Sequence, residues 1–107
     1  MRILYVEDND RDADFVRRAL AREQPPPQEL RVAPTLAAAR AALAGGGWDV
    51  VLADLNLPDG HGLELLGELA ASPPAPLMVA LTGQGDESTV LAVLKAGADD
   101  YLPKSEG

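Results

Sequence analysis

The chain has no cysteine. That excludes a disulfide framework, a thiolate metal site and a cysteine nucleophile, and it fits a reducing compartment such as the cytoplasm. Basic residues are also scarce: 9 Lys and Arg stand against 17 Asp and Glu, for a net charge of −8. Nonspecific nucleic-acid binding needs clustered Lys and Arg to displace counterions, so this balance argues against a direct nucleic-acid partner. No apolar run approaches the roughly 18–20 residues of a membrane span. The acidic pair Glu7-Asp8 arrives so early that the apolar region of a signal peptide has no room before it. What is present is 107 residues, 47% hydrophobic and 24% charged. That is the size and composition of one globular domain with one core, expected to span residues 1–107.

Short apolar runs alternate with helical patterns. Residues 2–6 read as a buried strand. Asn9 or Asp10 can cap a helix over about 11–23, with Asp12 and Asp14 early, Arg17, Arg18 and Arg22 late, and an apolar stripe of Phe15, Val16, Ala19 and Leu20. Pro25-Pro26-Pro27 stops it. A strand near 29–33 follows, then a helix capped by Thr35 and ended by Gly45-Gly46-Gly47. The strand at about 49–53 is apolar on both sides, as a central parallel strand should be. A turn-rich loop, Pro58-Asp59-Gly60-His61-Gly62, leads into a leucine-rich helix. The spacing then predicts a strand at 77–81, a helix from Asp86 to Gly97, and a last short strand at 99–102. Such alternation implies an α/β fold with a parallel sheet, right-handed crossovers and helices on both faces.

Polar residues follow four of the apolar runs: Glu7-Asp8, Asp54, Thr82 and Lys104. If the runs are parallel strands, all four places lie at the carboxyl edge of one sheet, where open α/β sheets bind ligands. Taken singly, each has an ordinary reading. Glu7 and Asp8 suit a helix entry, Asp54 a turn or cap, Thr82 the start of a turn, and Lys104 a solvated tail. Taken together, they match phosphoryl transfer to a carboxylate. That chemistry needs an acceptor acid, a magnesium ion, acids to hold the ion, and a fixed positive charge opposite. Magnesium takes oxygen ligands and keeps some waters, so two or three carboxylates suffice. His61, the only histidine, lies in the nearby loop and reads as a solvated side chain, while Trp48 reads as packing.

The strings ILYVEDND, DLNLPDGHG, LTGQGDE and AGADDYLPK resemble, in order and over essentially the entire chain, the receiver domain of two-component response regulators. The resemblance implies a flavodoxin-like, doubly wound, five-stranded parallel sheet of order 2-1-3-4-5. It implies that Asp54 is the phosphoacceptor and Asp8 a direct Mg2+ ligand. Glu7 would reach the ion through water, and the Asn56 backbone carbonyl would be a further ligand. Thr82 and Lys104 would bond the phosphoryl group, and Tyr101 would be the aromatic residue that switches its burial. The expected partners are a sensor histidine kinase or phosphotransfer protein and an output domain or protein, with no membrane partner. The domain would be a cytoplasmic switch rather than a metabolic enzyme, with only autocatalytic phosphotransfer and autodephosphorylation of its own. TGQGDE and YLPKS further resemble receivers of multidomain sensory proteins.

Two features depart from the family. Ser105 follows Lys104 where proline is common, and the last helix of the fold is absent or truncated. The sheet face beside the first helix should then carry an exposed apolar strip. Either the chain is a fragment of a longer protein, which is the favoured expectation, or a homodimer covers the strip. Two alternatives stay open at this point. One is a degenerate, phosphate-independent interaction module. The other is a magnesium-dependent phosphatase of the haloacid dehalogenase class, against which Asn56 occupies the place of that class's second aspartate.

Overall fold

Apolar runs bounded by turn residues become strands, and the capped amphipathic stretches become helices. The structure is a computed structural model that describes residues 1–25, 27–82 and 87–103. Its elements are β1 (Arg2–Val6), α1 (Asp10–Ala21), β2 (Glu29–Ala33), α2 (Leu36–Ala44), β3 (Val50–Asp54), β4 (Asn56–Leu57), β5 (Gly60–His61), α3 (Gly62–Ala70), β6 (Leu77–Thr82), α4 (Glu87–Lys95) and β7 (Asp100–Pro103). Five strands form one parallel sheet in the order β2-β1-β3-β6-β7. Counting only its own strands, that is the 2-1-3-4-5 order expected of a flavodoxin-like sheet. β4 and β5 form a separate two-stranded antiparallel hairpin, which the turn-rich loop had not suggested.

Helix starts follow local chemistry. Asn9 Oδ1 accepts from the backbone N–H groups of Arg11 at 2.9 Å and Asp12 at 3.1 Å, which settles Asn9 over Asp10 as the cap of α1. Thr35 Oγ1 accepts from the Ala38 N–H at 3.0 Å and caps α2, as expected. Between α2 and β3, Gly46 and Gly47 hold φ of 73° and 85°, a turn that favours glycine. Trp48 is buried and donates its indole N–H to the Ala42 carbonyl at 2.9 Å, while the Arg2 guanidinium lies over its ring.

The two faces of the sheet are covered unequally. Leu4, Val6, Val51, Ala53, Met78 and Ala80 point to one face, where Leu36, Ala39, Leu65, Leu66 and Val93 bring α2, α3 and α4 into one large core. On the other face α1 brings Ala13 into a second, small buried cluster with Tyr5 and Leu81. The expected stripe of α1 is therefore only partly covered. Val16 and Leu20 are half-buried, Ala19 is exposed, and Phe15 keeps 67% of its surface in contact with solvent. These side chains line an apolar groove of about 290 Å³ with Tyr5, Leu52, Leu81 and Leu102. This is the face on which the sequence predicts an apolar strip. The expected cap Asp86, together with Lys104 and Ser105, lies outside the described residues.

Candidate functional site

β1 and β3 are adjacent and parallel, with Val6 beside Ala53, so the residues that follow them emerge side by side. Glu7 continues the β1 direction by donating its N–H to the Ala33 carbonyl at 2.9 Å. Asp54 is the last residue of β3. The carboxylates of Glu7, Asp8 and Asp54 each place one oxygen within 4.8 Å of the others. Glu7 is 2% exposed and Asp54 4%, whereas Asp8 is exposed.

Burying carboxylates is costly unless they are hydrogen-bonded or paired. Glu7 Oε1 accepts from the Tyr5 hydroxyl at 3.0 Å, and Oε2 accepts from the Asn9 N–H at 3.2 Å. Asp54 Oδ1 accepts from the Asn56 N–H at 3.3 Å. Three acids this close repel one another, and a hard divalent cation relieves that repulsion. The donor set, carboxylate oxygens on a rigid sheet edge, fits such an ion well.

Thr82 ends β6 and pairs with Pro103 of β7, one step beyond the Asp54–Leu81 pair. Its backbone thus stands at the same edge as the acids. Tyr101 pairs with Ala80 and is half-buried against the large core. Lys104 is the sequence-predicted site residue that lies outside the described residues. Asn56 opens β4, directly after the Asp54-Leu55 corner, and is exposed.

Three local features were not foreseen. His61 is exposed, yet its Nδ1 accepts from the Leu63 N–H at 3.2 Å, so the imidazole works as the N-cap of α3. Glu64 closes the reciprocal bond, its Oε2 accepting from the His61 N–H at 2.9 Å. The spacing of His61 and Glu64 is that of a capping box, with histidine in the place usual for serine or threonine. The third feature is Asp59, whose carboxylate accepts from the Leu36 and Ala37 N–H groups at 2.8 and 3.0 Å. Those two bonds, with a smaller contribution from the Arg40 charge, hold the Asp59 carboxyl below the usual aspartate range. Nothing local in the sequence announces this bond, because its partners are 22 and 23 residues away.

Residues 3–107 match the family model described as the response regulator receiver domain. The chain belongs to the response regulator receiver family. It is 37% identical over 107 residues to the KDP operon transcriptional regulatory protein KdpE of Escherichia coli K12, covering 98% of this chain and 45% of KdpE. The chain spans about half the length of the curated relatives it matches. KdpE is by name a transcriptional regulator, whereas the terminal strings of this receiver suggested multidomain sensory proteins.

Among solved structures, the Mn2+-bound form of response regulator Rcp1 superposes with a TM-score of 0.88 at 31% identity, over 99% of this receiver and 82% of that chain. A Burkholderia pseudomallei response regulator with a phosphorylated aspartic acid, a calcium ion and citrate superposes with a TM-score of 0.84 at 27% identity, over 99% and 61% of the two chains. The receiver is therefore a signalling domain of two-component systems, not a classical enzyme, and relatives of its fold hold metal ions and phosphoaspartate. Neither the fold nor these likenesses favour a degenerate module or a haloacid dehalogenase. Among the described residues, no helix is long and apolar enough to cross a membrane.

Proposed function

We propose that residues 1–107 form one receiver unit that is switched by phosphorylation of Asp54. The observation that carries this reading is the meeting of Glu7, Asp8 and Asp54 at the carboxyl edge of the sheet, with two of the three carboxylates buried. An Asp54 oxygen forms the new bond to phosphorus as the donor's phosphorus–nitrogen bond breaks, and hydrolysis later returns the carboxylate and inorganic phosphate. Asp8, Asp54 and the Asn56 carbonyl would hold Mg2+, with Glu7 reaching it through water. The ion supplies charge neutralisation for the phosphoryl oxygens.

Thr82 and Lys104 bond phosphoryl oxygens only after transfer, so they couple the modification to shape more than they enable it. Tyr101, half-buried beside Ala80, reads out that change. The donor is a sensor histidine kinase or phosphotransfer protein, and the receiver works in the cytoplasm. The output is another domain or protein, and self-association into a homodimer is a second way to transmit the state. The chain itself helps catalyse transfer onto Asp54 and the later hydrolysis.

Intact mass after treatment with acetyl phosphate and Mg2+ tests the acceptor. One phosphoryl group is expected on the native chain and none on Asp54→Asn; equal labelling of both refutes the assignment. Beryllofluoride with Mg2+ should also raise the melting temperature of the native chain, because a ligand that binds only the folded state stabilises it. An equal rise in Asp54→Ala counts against the site. Thr82→Ala should still accept phosphate yet lose the change in Tyr101 environment. A native-sized NMR shift at Tyr101 in that variant removes Thr82 from the switch.

A further inference from the structure

The geometry points to Asp59 as a positioning residue for the cation site, acting through the β4–β5 hairpin. This inference rests on the reading of Glu7, Asp8, Asp54 and Asn56 as the oxygen set for Mg2+. Asn56 is the member of that set that lies in the β4–β5 hairpin, so whatever fixes the hairpin also fixes its carbonyl. Asn56 pairs with His61, and Leu57 with Gly60, so Pro58 and Asp59 form the tip of the hairpin.

That tip is anchored to α2. Both Asp59 oxygens accept N–H groups from the first two residues of α2, Leu36 and Ala37. These are donors that the helix itself leaves unpaired, and a negative charge there is favoured by the helix dipole. The seat is also packed. Leu36 is fully buried, and a Cβ added at Gly60 would lie 2.6 Å from the end of its side chain. α2 is in turn part of the large core through Leu36 and Ala39. Arg40 ties it to α3 by pairing with Glu68 at 2.7 Å.

Other fastenings of the hairpin lie at its base. Gly62 donates to the Leu55 carbonyl at 2.7 Å, and the His61–Glu64 box fixes the start of α3. Nearer the tip, Leu57 packs against the large core, and the two Asp59 bonds add a polar tie from the tip to α2. Mg2+ demands near-octahedral oxygen geometry, so a small displacement of one carbonyl weakens it more than a softer or larger ion. Groups that orient the ligands of a metal without touching it commonly govern its affinity.

The test titrates Mg2+ alone against the chain by calorimetry, then measures the initial rate of phosphorylation by acetyl phosphate across the same Mg2+ range. Asp59→Ala should raise the half-saturating Mg2+ concentration by about tenfold, with most of the loss recovered at saturating Mg2+. Asp59→Asn keeps the side-chain shape and one acceptor, and should shift it in the same direction by less. It carries the test by itself if the alanine variant does not fold.

Thr35→Ala removes the other side-chain cap of α2 without touching the hairpin. It should lower thermal stability while leaving the Mg2+ dependence at the native value. A shift of less than about twofold in both Asp59 variants, or an equal shift in Thr35→Ala, overturns the positioning role. Phosphorylation that persists in Asp54→Ala would instead overturn the acceptor assignment, and the calorimetric Mg2+ titration of the Asp59 variants would still decide the role of Asp59.

Discussion

Gly62 and Gly67 both lie in α3, and replacing each by alanine should move stability in opposite directions. Helix propensity alone favours both substitutions, since glycine in a helix costs roughly 0.5–1 kcal/mol relative to alanine. At Gly67 nothing lies within 4 Å of the added Cβ, so propensity acts unopposed. At Gly62 the added Cβ would fall on the Asp54 carbonyl oxygen, 3.0 Å from Leu55 Cα and 3.1 Å from the Asp54 carbonyl carbon. All three neighbours are backbone, so no side chain can rotate away. Overpacking of this kind costs about 1–3 kcal/mol, which exceeds the propensity gain. For a domain of this size 1 kcal/mol corresponds to about 4 °C in melting temperature. Net of the propensity gain, Gly62→Ala should therefore melt lower by up to about 10 °C and Gly67→Ala about 2–4 °C higher, by circular dichroism or calorimetry. Because Gly62 rests against the phosphoacceptor candidate's own backbone, its variant should also phosphorylate more slowly at temperatures where it remains folded. A melting temperature for Gly62→Ala at or above the native value would refute the close approach of α3 to Asp54.

Two further expectations concern the buried and capping carboxylates. Tyr5→Phe deletes the hydroxyl that donates to buried Glu7 and should cost about 1–3 kcal/mol in urea denaturation, so an unchanged midpoint would mean that this bond does not stabilise the fold. Asp59 has a folded pKa below its ordinary value of 3.8, because the Leu36 and Ala37 N–H groups favour the carboxylate. A depressed pKa contributes stability that is complete above the unfolded value and is lost as pH falls through the folded value. The stability gap between native chain and Asp59→Asn should thus be full at neutral pH and narrow below 3.8; a gap that persists unchanged in strong acid would contradict the linkage.

Much of this receiver was determined by short-range features of its sequence. The strand runs, the caps Asn9 and Thr35 and the glycine stop after α2 depend on residues within a few positions of one another, so their pattern is legible in the order of residues alone. The meeting of Glu7, Asp8 and Asp54 was also legible, because a parallel sheet with right-handed crossovers sends every strand's carboxyl end to one edge. His61 as a cap could have been read from its spacing to Glu64, had histidine been admitted to the capping pattern. Tertiary structure alone decided the rest. Whether Glu7 is buried depends on the neighbouring strands and on the Tyr5 hydroxyl beneath it. Phe15 fits the periodicity of a covered helical stripe, yet it is exposed, because α1 is the one helix of the described residues packed on its face of the sheet. The bond from Asp59 to the start of α2 joins residues more than 20 positions apart. Periodicity and propensity describe how a segment behaves by itself; which segments meet, and which polar groups they bury together, is set only when the crossovers close the sheet.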